Sequence, residues 1–376
     1  MMLATLISAA IWVYLLGFHG RFWQAGPVLR AAPADGDAPT RELPAVDIVV
    51  PARDEAEHVS RALRSLLRQD YAGTLRVILV DDGSRDGTGD IAREIRDARL
   101  TVLAGAPRPP GWSGKLWAVA QGLAETRAPF VLLADADIEH DPPHLSTLVE
   151  KAEEGDLDLV SEMVALSCET PAERALVPAF VFFFQLLYPF AWVNDKLRAT
   201  AAAAGGTMLV RRRALDRIGG IEAVRAALID DVALAGAIKR GGSIWLGHAA
   251  YARSLRSYAD WREVWRMVAR TAYVQLRRSP ALLAGCIAGM VLTWLVPPLA
   301  TVAGHGFVRV LGLLLWLAMA ASFVPTLRRF RRSVLWAPLL PAIATFYLAA
   351  TIGSAIDHWR GRGVVWKSRA YQSADA

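Results

Sequence analysis

The 376-residue sequence predicts an α/β domain, with a mostly parallel sheet covered by helices on both faces, joined to transmembrane helices. Three observations carry this expectation. From Val46 onward, short β-branched runs alternate with segments of helical spacing, the pattern of repeated strand–helix units. Three of those runs end in acidic clusters, Arg53-Asp54-Glu55, Asp81-Asp82-Gly83-Ser84 and Asp135-Ala136-Asp137, at the strand ends where such sheets bind ligands. In addition, 54% of the residues are hydrophobic, and they gather in uncharged stretches near the length of a bilayer span.

Taken in order, residues 1–20 read as an uncleaved membrane anchor, because Met2 to Phe18 lacks a basic leader and a small-x-small cleavage site. A linker rich in Ala, Pro and Asp occupies 21–45. VDIVVPA (46–52) is a strand, and Glu55–Gln69 a helix with Val59, Leu63, Leu66 and Leu67 on one face. LRVILVDDGS (75–84) is the second strand, Gly87–Ile95 the second helix and LTVLAG (100–105) the third strand. Lys115–Glu125 is the third helix, and FVLLADAD (130–137) the fourth strand. This domain is expected to span 46–260. Within it Leu176–Val193 is as apolar as a membrane span but carries Pro178 and Pro189. It reads as a buried core helix or, preferably, as a segment lying on or dipping into the membrane. Residues 261–280 form an amphipathic interfacial helix, with Trp261, Trp265, Val268 and Tyr273 opposed to Arg262, Arg266 and Arg270. Apolar segments Ala281–Gly304, Phe307–Leu327 and Val334–Ile356 fill 281–358, and a basic tail occupies 359–376.

The net charge of +6 does not point to nucleic acid: no motif for it is present, and the arginines flank the apolar segments. Arg21, Arg30, Arg277, Arg278 and the cluster Arg328 to Arg332 fit the positive-inside bias and contact with the lipid bilayer. With Arg21 and Arg30 inside, the domain lies in the cytoplasm and the protein is a multi-pass protein of the cytoplasmic (inner) membrane. Three full C-terminal spans would then put the basic tail outside. Either one segment is re-entrant, marked by Pro297-Pro298 or by Pro338 and Pro341, or the tail is an exception to the bias. Cys168 and Cys286 are read as free thiols.

Asp135 and Asp137 alternate across one residue, so on a strand both side chains point to one face. Carboxylates converging there are costly unless a divalent cation relieves them, and Mg2+ or Mn2+ held by one or two carboxylates completes its shell with phosphates. His140 and His144 offer no zinc site, because Asp141-Pro142-Pro143 breaks helical spacing between them and no cysteine joins. The adjacent acids Asp230 and Asp231 suit a helix start, where they complement the dipole.

VVPARDE, VDDGSRDGT, GWSGKLWAVAQGL, LLADAD and IDDVALA, in that order between about Val46 and Arg278, resemble family 2 glycosyltransferases with the GT-A (Rossmann-like) fold. With the membrane segments and GWSGK, the sequence is similar to hopanoid-associated glycosyltransferases and, more distantly, to ceramide glucosyltransferases. The resemblance implies roles position by position. Pro51, Arg53 and Glu55 flank the nucleotide base, the Arg53 guanidinium standing where the family often has an aromatic. Asp82 accepts a hydrogen bond from a uracil-type base, its neighbour Asp81 is structural, and Gly83 and Gly87 supply turns. Lys115 reaches a phosphate or the sugar. Asp135 faces the ribose and Asp137 is the chief ligand of a divalent metal, Mg or Mn, with Asp135 beside it. Gly205, Gly206 and Thr207 form an acceptor-side loop, and Asp230 lies on the same side. Asp231 is the general base that takes the proton of an acceptor hydroxyl. Gln275 and Arg278 partly match the QxxRW signature, with Ser279 in place of the tryptophan.

The function expected is a membrane-bound inverting transfer of a single sugar from a nucleotide-sugar donor, a UDP-sugar, to a membrane lipid, a hopanoid among the acceptors implied. A processive polysaccharide synthase is the alternative, weakened by the incomplete QxxRW. A non-catalytic scaffold or transporter with a degenerate transferase domain is a further one, opposed by the set Asp82, Asp137 and Asp231.

Overall fold

The protein is described in a computed structural model, which covers residues 1–31 and 43–361 and the backbone of 364–366 and 369–371. The centre of the 21–45 linker and half of the basic tail lie outside the described residues. The chain divides into two compact units, one drawn from Pro27–Ser167 and Trp192–Arg256, the other from Met1–Gly26, Cys168–Ala191 and Ser257–Val364.

The first unit is built on a nine-stranded sheet. Its strands are β1 (Val28–Leu29), β2 (Val46–Ala52), β3 (Leu75–Asp81), β4 (Leu100–Ala104), β5 (Phe130–Ala134), β6 (Ile138–His140), β7 (Leu159–Ala165), β8 (Thr207–Arg211) and β9 (Ile244–Ser254). They run in the order β1-β9-β7-β8-β5-β2-β3-β4, with β6 against β9. The expected parallel core is present, as β3 pairs with β2 and β4, and β5 with β2. The other half is mixed: β8 runs antiparallel to both β5 and β7. Val28–Leu29, inside the stretch read as linker, form the edge strand β1 alongside β9.

All seven residues of β2 are buried, which explains its unbroken apolar run. Ile48 and Val50 pack with Val59, Leu63 and Leu66 of the helix Val59–Leu67 on one face. Each side chain fully buried there contributes roughly 1.5–3 kcal/mol. On the other face the helix Gly114–Ala124 closes on Val49 and Val80. A Cβ at Gly122 would stand 2.5 Å from Val49 Cγ1, so only glycine allows this approach. The first helix starts at Val59 and not at Glu55, because the N–H groups of Asp54, Glu55 and Ala56 are taken by side chains of Ser84, Thr88 and Asp86. The fourth strand stops at Ala134, and Asp135 opens a turn in which Ile138 N donates to the Asp135 carbonyl. Strand alternation therefore does not govern Asp135 and Asp137.

The second unit is helical. Among the described residues three segments are long and apolar enough to cross a membrane: Pro280–Ala303, Gly306–Arg329 and Val334–Trp359. The first two, at 24 residues each, extend about 36 Å against a hydrocarbon core of about 30 Å. The N-terminal helix Met2–Gly17 has 16 residues and is shorter than these. The Pro297-Pro298 segment does not turn back at its prolines. It passes through a π-helical turn, Val291–Leu295, and continues as Val296–Ala303. Pro341 likewise sits in the first turn of Leu340–Trp359, where its missing N–H costs nothing. Trp12 Nε1 donates to the Thr293 carbonyl at 3.0 Å, satisfying a group of that π-turn.

The apolar stretch forms the helices Pro171–Leu187 and Phe190–Val193, and up to Ala191 it belongs to this unit. Phe182 is fully buried, with its ring 5.2 Å from Phe323 and 6.1 Å from Trp294, and Tyr347 donates to the Leu176 carbonyl. It is thus a core helix of the apolar unit. The amphipathic stretch is split into Trp261–Ala269 and Ala272–Gln275; Val264 is buried, Trp265 meets Phe346, and Arg262, Arg266 and Arg270 are exposed.

Candidate active site

The carboxyl ends of β2, β3 and β5 lie on one edge, and the antiparallel β8 starts there, because Ala134 pairs with Thr207. Two loops are zipped together on this edge. Asp54 takes a left-handed φ of +49, a conformation asparagine and aspartate tolerate, and its Oδ1 accepts from Arg85 N at 2.9 Å. Gly83 and Gly87 take positive φ as expected. Asp81 Oδ1 accepts from Ser84 N at 3.0 Å, the structural part anticipated for it.

Arg53 departs from expectation. It is buried, donates to the Asp82 and Gly83 carbonyls, and lies 3.7 Å from the Asp82 carboxylate. A guanidinium held beneath the loop does not present a free plane for a base to stack on. Its position fixes the Asp82 turn instead, and Asp82 itself is only 2% exposed.

The centre of the site is a cluster around Lys115, in the first turn of Gly114–Ala124. Its ammonium lies 2.9 Å from Asp135 Oδ1 and 3.3 Å from Asp230 Oδ2. Burial alone would lower its pKa, but Asp135, Asp230 and Asp231 hold it above the ordinary lysine value. Burial raises the Asp135 carboxyl, and Asp137 and Asp230 add to that against the pull of Lys115. Asp231, in the first turn of Asp230–Lys239, accepts from Gly205 N through Oδ2 at 2.9 Å and from Val232 N through Oδ1 at 2.8 Å. Burial and then Asp230 push its carboxyl up to about 7, with Lys115 and the two N–H groups opposing. Pro51, Lys115, Asp135, Gly205, Asp230 and Leu234 line one small cavity. A Cβ on Gly205 would come within 3.3 Å of Asp231 Oδ2 and 3.4 Å of Lys115 Nζ, so a larger residue here would press on both charged groups.

Beside this cluster, Arg256 forms a second node. Its Nε donates to Asp137 Oδ2 at 2.8 Å, and its terminal nitrogen to Glu55 Oε1 at 3.0 Å and Oε2 at 3.1 Å. Arg256 was not anticipated from the sequence, since the contact joins residues 201 positions apart. Lys115 and Arg256 thus pair with Asp135, Asp230, Asp137 and Glu55, and Asp231 adds a fifth carboxylate. Hard oxygen donors in excess of positive charge suit Mg2+ or Mn2+. Among the described residues no group of three or more His, Cys, Asp or Glu is placed to hold an ion by itself.

Other expected residues fall elsewhere. Thr207 is fully buried as the first residue of β8, so it faces the sheet interior and not an acceptor. Gly206 accepts from Asp135 N through its carbonyl at 3.2 Å and so tethers the acid turn. Gln275 and Arg278 lie in the helical unit, where Gln275 donates to the Tyr188 hydroxyl and Arg278 has a φ of +53. His144 pairs with Glu162 at 2.9 Å, and burial lowers its pKa to about 3.

Residues 47–219 match the model of Glycosyl transferase family 2. An N-acetylglucosaminyltransferase of Rhizobium meliloti (strain 1021) is 36% identical over 151 residues, 36% of this chain and 33% of that protein. One of Rhizobium leguminosarum bv. viciae is 32% identical over 165 residues, 40% of this chain and 36% of that protein. The chain therefore spans about a third of the length of these curated relatives. A mannosyltransferase of Pyrobaculum calidifontis, solved in complex with GDP-Man and Mn2+, shares the fold at a TM-score of 0.56. It is 19% identical, and the match covers 94% of this chain and 99% of that one. Residues 47–219 thus match the family 2 model, on the GT-A-like fold that the sequence led us to expect.

Proposed function

We propose that the chain is a membrane-bound inverting glycosyltransferase that moves one sugar from a UDP-sugar to the hydroxyl of a membrane lipid. The observation that carries this reading is Asp231, a carboxyl pushed up to about 7 and bonded to the N–H of Gly205, which lines the small cavity together with Lys115 and Asp135. A group with a pKa near 7 is well matched to general-base work at neutral pH. In the reading offered here Asp231 takes the acceptor hydroxyl proton as that oxygen bonds to the anomeric carbon. The bond from the anomeric carbon to the diphosphate breaks on the opposite side, its electron pair leaving with the nucleotide, so one displacement inverts the configuration. Lys115 orients Asp135 and Asp230 and contributes positive charge toward the donor phosphates, and Arg256 holds Asp137 and Glu55 in place. A divalent cation held by Asp137 and Asp135 would supply charge stabilisation for the departing diphosphate.

Support for a nucleotide-sugar donor comes from the N-acetylglucosaminyltransferase relatives and, at the level of fold, from the mannosyltransferase bound to GDP-Man and Mn2+. Support for a lipid acceptor and for residence in the cytoplasmic membrane comes from the three apolar helices. Hopanoid-type lipids are the acceptors that the sequence resemblance implies. The test is a screen of nucleotide-sugars for nucleotide release, with extracted membrane lipids as acceptors and the product anomer read by NMR. A single-sugar lipid of inverted configuration is expected. A polymer ladder would favour the synthase reading, and retained configuration would exclude the mechanism.

A further inference from the structure

We propose a second anion site, for a phosphate-bearing ligand, in a basic cleft at the other end of the strands from the carboxylate cluster. This proposal does not rest on the transferase reading. The cleft, about 230 Å3, is lined by Arg64, Arg68, Arg96, Arg99 and Asp97 together with Leu67 and Ile95. Arg64 lies in the helix Val59–Leu67 and Arg68 ends it, whereas Arg96 and Arg99 precede β4. These positions are at the amino ends of β3 and β4. Seven residues of β3 rise roughly 3.3 Å each, so the cleft and the carboxylates are separated by about 20 Å.

The lining is charged in a way that a folded protein gains nothing from by itself. Arg64 and Arg68 are four apart on one helix, so their like charges repel. Asp97 is already satisfied, pairing with Arg99 at 2.8 Å and 3.1 Å, while Arg99 also donates to the Leu67 carbonyl at 2.8 Å. Among the described residues Arg64, Arg68 and Arg96 form no ion pair with an acid, and Arg64 has only a 3.4 Å contact to Ser60 Oγ. Three guanidiniums left over around a space of about seven or eight waters suit a diphosphate, whose oxygens accept paired N–H donors. The same chemistry is offered by a soluble diphosphate and by the headgroup of an anionic phospholipid.

The test is calorimetric titration of the full chain in phosphatidylcholine nanodiscs with inorganic pyrophosphate. EDTA is present, so that the carboxylate cluster, without a divalent cation, repels the probe. Binding at one site per chain is expected. It should weaken at least tenfold in the double variant Arg68→Ala/Arg96→Ala, and be unchanged in Arg93→Ala, an exposed arginine paired with Asp90 at 2.9 Å. Both residues of the double variant are exposed, and an unaltered melting temperature shows that the fold persists. If phosphatidylglycerol nanodiscs at matched ionic strength lower the pyrophosphate affinity, the occupant is a lipid headgroup; equal affinity assigns a soluble ligand. No binding to the wild type, or wild-type binding by the double variant, overturns the proposal.

Discussion

Replacing Asp231 with asparagine perturbs the proposed base while leaving its frame intact, since an amide oxygen can still accept from Gly205 N–H, 2.9 Å away in the wild type. A positioned general base contributes on the order of 10²–10⁴ to the rate. D231N should therefore lower kcat by about a thousandfold, ~4 kcal/mol in the barrier. Because the Asp231 carboxyl stands at about 7, wild-type kcat/KM should rise through that pH and level off above it, and D231N should lose that limb. Stability moves the other way. A carboxyl raised from 3.8 to about 7 in the fold contributes stability that is complete below its unfolded pKa and is lost as pH rises through 7. The ceiling is ~4 kcal/mol, which screening of a partly exposed cluster lowers to ~1–2 kcal/mol. At pH 8 D231N should consequently melt no lower than the wild type. Nucleotide release across pH 5–9, paired with thermal melts, reads both effects. Activity within threefold of wild type, or an unchanged acid limb, would refute the assignment.

Four further outcomes are expected. Lys115→Met removes the cation that lowers Asp231, so the pH–rate limb should move to higher pH and activity at pH 7 should fall at least ~10-fold; a limb that stays in place argues against the cluster. Gly205→Ala inserts a Cβ within 3.3 Å of the Asp231 carboxylate, and kcat should drop about tenfold with little change in melting temperature. Asp137→Asn should weaken Mn2+ binding, read by EPR without donor, by ~10-fold or more, whereas Arg256→Ala should strengthen it by freeing the carboxylate that Arg256 holds at 2.8 Å.

The parts of the fold that were legible in the sequence are those in which local pattern and tertiary role agree. β2, β3 and β5 are apolar because both their faces are covered, and Leu63 and Leu66 sit on the buried face that their spacing marks. Where long-range pairing decides, local reading failed. Thr207 was expected in an acceptor-side loop with Gly205 and Gly206, but it opens β8, a strand held antiparallel by β5 and β7. The Asp135–Asp137 alternation suggested one strand face, but Gly206 anchors Asp135 N and turns the chain there. Arg53 and Arg256 carry no local sign of their partners, since a guanidinium reads the same whether it serves a ligand, a turn or a distant carboxylate. Asp82, Lys115 and Asp231 were singled out through the family resemblance and not by local pattern; the structure brings Lys115, Asp135, Asp230 and Asp231 into one cluster and places Asp82 beside Arg53.

The alternation of the chain between its two units has a consequence for how the molecule can be made. β7 and β8 are hydrogen-bonded neighbours, yet Cys168–Ala191 is translated between them and belongs to the helical unit. The two strands pair across that excursion, so the sheet and the helical unit share one continuous stretch of chain. No single cut releases the transferase domain. A fragment spanning 46–260 would keep Pro171–Leu187 while losing Trp294, Phe323 and Tyr347 that cover Phe182 and Phe183, and would expose an aromatic face to water. A soluble fragment would instead need Cys168–Ala191 replaced by a polar segment joining Ser167 to Trp192.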